Sequence, residues 1–401
     1  MSGFFFNCTS LISIDMSNFQ SQNIVNTDNM FTNCNKLPFF NMSNFNTENV
    51  QSMRNLFKSF RSLKSLDFSN IKTNNLADME GMFNGCYSLI SLNLSKFNTK
   101  KVINMSELFK GCRSLTSIDF SNFDTKNVKE MERMFYQCDK IKSLNLSNFN
   151  TKKVEDMSFL FFSCESLISI DISNFDTQNV KNMDHMFSQC ISLISIDVSK
   201  FETKNVLYMN FMFCACISLE TINLSNFNTK NVLNMGSMFG GDSSLKILDL
   251  SSFNTENVID LSLMFAYCKN LTFINISNFN TQNFEDMDGM FSECNSLKSI
   301  NLSSFITKKV RHMEDMFSYC YSLTSINISN FYINNSIRID GMFSYCKNLT
   351  FINISSFHIN TCHYTTFYKL PDNGQIFVSN DFYNYTNTSL PNWNIFINDI
   401  N

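Results

Sequence analysis

Cysteine is the residue type in this chain whose spacing most invites a chemical reading. Twelve of the 14 cysteines recur in one phase of a 26-residue period: Cys8, Cys34, Cys86, Cys112, Cys138, Cys164, Cys190, Cys216, Cys268, Cys294, Cys320 and Cys346. Phe60 and Asp242 fill the two remaining phases of that column. If each period is one coil, equivalent residues lie above one another with Cα atoms about 5 Å apart, within reach of a disulfide. Stacked side chains, however, run parallel and do not aim at one another. A free thiol also packs well as a small apolar group. The column is therefore expected to hold buried thiols. Zinc requires converging ligands, and the chain offers no C-x-x-C pair, only Cys214 and Cys216 two residues apart. No metal site and no cofactor are expected.

A second column carries carboxylates. It reads Asp15, Asn41, Asp67, Asn93, Asp119, Asn145, Asp171, Asp197, Asn223 and Asp249, with Asp and Asn alternating through the first seven coils. Alternation keeps like charges about 10 Å apart at a strand-like step, where salt screens them. Calcium needs six to eight converging oxygens, which a straight row does not supply. A solvated strand face is the expectation. That face is also where a partner is expected to bind, along Ser117, Asp119, Ser143, Asn145, Ser169, Asp171, Ser195 and Asp197 near mid-chain. Catalysis has no support. His185, His312, His358 and His363 fall at unrelated phases, and there is no G-x-S-x-G elbow or phosphate loop. Of the many N-x-S/T sequons, most belong to the repeat itself, and Asn384 and Asn387 near the C-terminus are the more accessible acceptors.

The elements that must position these columns follow from the same period. Phe5, Phe31, Phe57, Phe83 and their equivalents run without exception or insertion to Phe343, and a parallel column runs from Phe19 to Phe357 with Ile71 as its one substitution. Such self-similarity means a stacked array whose neighbours bury one another's apolar faces. In the unit of residues 114–138, Leu115, Ile118, Phe120 and Phe123 fit the opening of a leucine-rich repeat. Ile118 and Phe120 point one way from a short strand, Ser117 and Asp119 the other. Val128, Met131, Met134 and Phe135 follow at helical spacing, which predicts a short helix with one buried stripe. Thr125 stands where a helix N-cap is wanted. Serines such as Ser17, Ser43 and Ser69, each often followed by Asn (Asn18, Asn44, Asn70), are expected to satisfy backbone groups at the turn after the strand. The sum is an α/β solenoid of about 14 turns, each with one short parallel strand and one short helix.

The run L-x-S-[LI]-[DN]-[LI]-S-N-F-[DN]-T-x-N-V-x-x-M-x-x-M-F-x-x-C, clear in Leu89–Cys112, Leu167–Cys190 and Leu193–Cys216, resembles the BspA-type leucine-rich repeat surface proteins and, within them, the mycoplasma-type repeat. The similarity spans about residues 4–360. It implies a right-handed solenoid, and relatives that are displayed or secreted and bind proteins or extracellular matrix. It implies no enzymatic activity and no shared ligand residues.

Residues 1–360 are thus expected to form the leucine-rich repeat solenoid, beginning mid-repeat with its N-terminal cap missing. Residues 361–401, with Pro371, Pro391, Trp393 and several tyrosines, are expected to form a C-terminal capping segment. Net charge is −4 on 66 charged residues, which gives no basic face for nucleic acid. No apolar run reaches the length needed to insert in a membrane, and no signal peptide is visible. The reading that results is a non-catalytic interaction scaffold at the cell surface or secreted. The alternatives are an intracellular scaffold, favoured by the thiols, or the repeat portion of a longer protein with a catalytic domain elsewhere.

Overall fold

Repetition at 26 residues produces a ladder of parallel strands two to four residues long in the computed structural model, which describes residues 1–397 apart from 17, 18, 20, 44 and 361. Ser17, Asn18 and Asn44 of the turn columns thus lie outside the described residues. The chain divides into two units, Met1–Asn205 and Val206–Asn401. In the first, Phe39–Asn41 pairs in parallel with Ser65–Asp67, Ser91–Leu92 with Ser117–Ile118, and Ser143–Asn145 with Ser169–Asp171. In the second, Ile247–Asp249 pairs with Phe273–Asn275, and Ser325–Asn327 with Phe351–Ile354. Register is in step: each residue faces its equivalent one repeat away. Leu144 is buried between exposed Ser143 and Asn145, the alternation a half-buried strand requires.

Among the described residues the expected helix in each repeat is absent, and each unit is a stack of β-solenoid coils rather than the α/β solenoid expected. The Met-x-x-Met-Phe segments form consecutive tight turns instead. In the repeat from Met79, the amides of Met79, Gly81, Phe83 and Gly85 donate to the carbonyls of Asn104, Ser106, Leu108 and Lys110 in the next coil. The intervening amides of Met82, Asn84 and Cys86 close turns onto Met79, Gly81 and Phe83. Backbone donors thus alternate between the neighbouring coil and the local turn. Two residues per repeat, four apart, hold φ between 54° and 86°, for example Gly81 with Gly85 and Arg133 with Gln137. This is the left-handed region that the third residue of a type II turn requires and that no α-helix contains.

Spacing explains why turns win over helices. The buried rings Phe83, Phe109, Phe135 and Phe161 stack almost parallel at 5.6–5.8 Å, continuing in the second unit from Phe239 through Phe265 and Phe291 at 5.4–6.0 Å. Packed helices need about 8–10 Å between axes, whereas strands need about 4.8 Å. A coil that repeats every 5–6 Å on its Phe side leaves no room for helices there. The same stretch supplies a second parallel ladder of single-residue bridges: Asn26, Ser52, Asp78, Asn104, Glu130, Asp156 and Asn182 in the first unit, Tyr208 to Arg338 in the second.

Thr125 is accordingly not a helix cap. It is buried, its Oγ1 donating to the carbonyl of Asn150 at 3.1 Å and accepting from the Asn150 amide at 2.7 Å. Thr73, Thr99, Thr151 and Thr177 clamp successive coils in the same way. Asparagines form a further rung, with Nδ2 of Asn75, Asn127 and Asn179 donating to Glu48, Lys100 and Lys152 of the preceding coil. Toward the C-terminus, Gln375–Val378 and Asn394–Ile397 extend the parallel strand ladder beyond Phe351–Ile354, separated by the helix Asn380–Ser389. Phe367 stacks on Phe343 at 6.0 Å, and Trp393 Nε1 donates to the Pro371 carbonyl at 3.0 Å.

Candidate interaction surface

All eight strand-face residues read from the sequence, Ser117, Asp119, Ser143, Asn145, Ser169, Asp171, Ser195 and Asp197, are exposed, and all lie in the first unit. In these four coils a serine and an acidic or amide residue occupy the two outward positions. The residue just before the serine adds apolar area where it is isoleucine: Ile90, Ile168 and Ile194 are about half exposed. The face therefore mixes small hydroxyls, carboxylates and aliphatic side chains.

The carboxylate column has a structural duty that spacing alone did not reveal. One oxygen of each Asp or Asn accepts the backbone amide two residues on: Ser121 donates to Asp119 at 2.9 Å, Ser147 to Asn145 at 3.0 Å, Ser173 to Asp171 at 3.0 Å and Ser199 to Asp197 at 2.9 Å. These Asx turns end each strand. The turn serine takes part through its backbone N–H as well as through the expected hydroxyl. The Ser121 amide and hydroxyl hold the Asp119 carboxyl below its usual range; the Ser173 and Ser199 hydroxyls, then amides, do so for Asp171 and Asp197. All three carboxylates are therefore ionised under ordinary conditions, and all three residues are exposed.

The cysteine column is no reaction centre. The cysteines are free, and from Cys34 on the column members are buried. Their S–H groups donate to the phenylalanine carbonyl 29 residues upstream, as Cys112 does to Phe83 at 3.3 Å and Cys164 to Phe135 at 3.2 Å. Burial pushes the thiols up, to about 12 for Cys86 and Cys190, which removes the thiolate that nucleophilic or metal chemistry needs. Asp242 breaks the column. It is fully buried, accepts the Cys216 amide at 2.8 Å through Oδ1, and its Oδ2 has no hydrogen-bond partner among the described residues. Burial raises its carboxyl well above the usual range.

The repeat family described as "Mycoplasma protein of unknown function, DUF285" matches residues 1–112, 51–169, 137–247 and 241–357. The chain belongs to this family. The mycoplasma-type repeat read from the sequence is thereby borne out. Among solved structures, the chain is similar to a leucine-rich cell surface protein from Faecalibacterium prausnitzii, at 17% identity over 79% of this chain and 84% of that one, with a TM-score of 0.46. It is similar to a leucine-rich repeat protein from Bacteroides ovatus, at 17% identity over 91% and 85%, TM-score 0.47. A third, from Eubacterium ventriosum, shows 15% identity over 86% and 82%, TM-score 0.36. No curated protein matches the sequence. At these identities no residue's role passes from the solved structures to this member of the DUF285 family.

Proposed function

We propose that the chain is a non-catalytic protein-interaction scaffold, displayed at the cell surface or secreted, that binds a protein or extracellular matrix ligand through the strand face of the first unit. The observation that supports this reading is the exposure of Ser117, Asp119, Ser143, Asn145, Ser169, Asp171, Ser195 and Asp197, with Ser143 and Asn145 in register with Ser169 and Asp171, beside half-exposed Ile168 and Ile194. A rigid row of small polar groups flanked by aliphatic area suits a macromolecular partner better than a small substrate, which needs a concave pocket. The unit is held by its own turn clamps, so binding costs little ordering entropy. Residues 361–401 serve as a C-terminal capping segment, a reading supported by Phe367 stacking on Phe343 and by the burial of Trp393. Among the described residues no helix is long and apolar enough to cross a membrane. The free thiols favour a second reading, a scaffold inside a reducing compartment.

The test separates surface from fold. Asp119→Asn, Asp171→Asn and Asp197→Asn together remove three charges but keep the turn acceptors, as Asn145 already shows is compatible with the strand. Ser117→Arg, Ser143→Arg, Ser169→Arg and Ser195→Arg add bulk along the row. A partner captured from matrix or surface extracts should lose affinity for the arginine variant while melting temperature is unchanged. Equal retention by both variants and the parent chain would rule out this face as the contact surface.

A further inference from the structure

The second unit contains a cluster of groups that the scaffold reading does not use. Asp288, His312 and Glu314 are all half-buried, and one ligating atom from each lies within 4.8 Å of the other two. They come from adjacent coils: Asp288 and Glu314 are one repeat apart in the same column, and His312 stands two residues before Glu314. We propose that Asp288, His312 and Glu314 form a zinc-binding site, a role beyond that of the strand face.

The local backbone explains why an imidazole is available there. In the coils before it, the bridge column holds Asn or Asp whose side chain accepts the amide two residues on: Asn234 from Gly236, Asp260 from Ser262, Asp286 from Asp288. His312 occupies that column position but does not take up that task. The Glu314 amide instead donates to Asp288 Oδ1 at 2.7 Å, across from the neighbouring coil. The imidazole is thus left beside two carboxylates and outside the turn's own hydrogen bonding.

Those carboxylates are oriented from behind. Asp288 is fixed through Oδ1 by the Glu314 amide, and Glu314 through Oε1 by the Arg338 guanidinium at 2.5 Å. Each carboxylate offers one oxygen to the cluster and is itself hydrogen-bonded, as metal-binding carboxylates commonly are. Negative charge is in excess. Asp286, bridged to His312 from the preceding coil, and Asp340, one repeat beyond Glu314 and lining the same hollow, add carboxylates to Asp288 and Glu314, against the guanidinium of Arg338. A cation at this point relieves that repulsion. Asp288, Glu314, Asp340, Tyr319 and Tyr345 line an adjoining hollow of about 750 Å³.

The donor set selects the metal. Calcium and magnesium prefer oxygen donors only, whereas one imidazole nitrogen with two carboxylate oxygens suits zinc. Three protein ligands leave a fourth tetrahedral position for water or for a side chain of a bound partner. The sequence signal was His312-Met-Glu314 with Asp288 one period upstream, hidden by treating each histidine phase in isolation.

The experiment uses the intact chain stripped with EDTA. Zinc chloride titrated in a calorimeter should show one zinc per chain, with calcium and magnesium giving no comparable heat. Asp288→Asn and His312→Asn, each checked for an unchanged circular dichroism spectrum, should weaken zinc by about tenfold or more. Cobalt substituted for zinc in the parent chain should give ligand-field absorption with no thiolate charge-transfer band. Absence of zinc uptake, uptake unaltered in both variants, or a thiolate band placing the metal on cysteine would each overturn the assignment. The cobalt spectrum decides the matter even if a variant fails to fold.

Discussion

Replacing Asp242 should make the second unit more stable, and more so as pH rises. Every other member of its column from Cys34 on is a buried cysteine except Phe60, and the cysteines donate to a carbonyl one coil back, as Cys268 does to Phe239 at 3.2 Å. Asp242 places a carboxyl in that slot, fully buried, with Oδ2 unpartnered among the described residues. Its folded pKa is raised by burial, opposed only by the Cys216 amide. A raised pKa means the folded state holds its proton more tightly than the unfolded chain. The favourable contribution is complete below the unfolded value near 3.8 and is lost as pH climbs toward the folded value. One proton sets a ceiling of about 1.4 kcal/mol per pH unit on that loss. The unsatisfied group alone costs about 1–3 kcal/mol. For a unit of 150–250 residues each kcal/mol moves the melting temperature about 2–4 °C, so Asp242→Cys should raise it by about 2–12 °C at pH 7. Asp242→Asn keeps the volume and stays neutral, and should flatten the pH dependence in the same direction. The assay is thermal melting followed by circular dichroism from pH 4 to pH 8. A gain that is absent at pH 7, or one that is the same size at pH 4 and pH 8, would refute the reasoning.

Thr151→Val removes a hydroxyl that donates to the Asp176 carbonyl at 2.8 Å and accepts from its amide at 2.8 Å, and should cost about 1–3 kcal/mol in urea denaturation, with Thr151→Ser recovering most of it. Phe135→Ala opens the ring column between Phe109 and Phe161, stacked at 5.8 and 5.6 Å, and should cost about 3–5 kcal/mol in the same assay. A thiol reagent at pH 8 should react slowly with the native chain and with all 14 cysteines once it is denatured, with no reductant added; a smaller count in denaturant would mean bridges.

The sequence made the stacking legible because stacking is a property of columns. Phe5 to Phe343 cannot recur at one step without lying over one another, and Leu115, Ile118 and Phe120 specify the strand by alternation. The helix was misread because Val128, Met131, Met134 and Phe135 satisfy helical spacing while two consecutive turns bury the same residues. The deciding clue was available in residue type. Seven of the ten glycines, among them Gly81, Gly85, Gly111 and Gly289, fall in the two left-handed columns, and Asn7, Asn29, Asn33 and Asn55 share them. The outward direction of the strand-face residues was legible from alternation, yet the anchoring role of Asp119, Asp171 and Asp197 depends on amides two residues away, which a count of carboxylates does not reveal. The threonine clamp escaped for the same reason. Its partner, as in Thr125 with Asn150, is backbone of the next coil and carries no sequence signature.

Far-UV circular dichroism of the intact chain tests the central claim, that interaction side chains ride on stacked turns with strand-like spacing. The described residues contain a single α-helix of ten residues, so the spectrum should show strand and turn with a helical content of a few per cent. A helical fraction near a third, as one helix per repeat would give, would contradict the account.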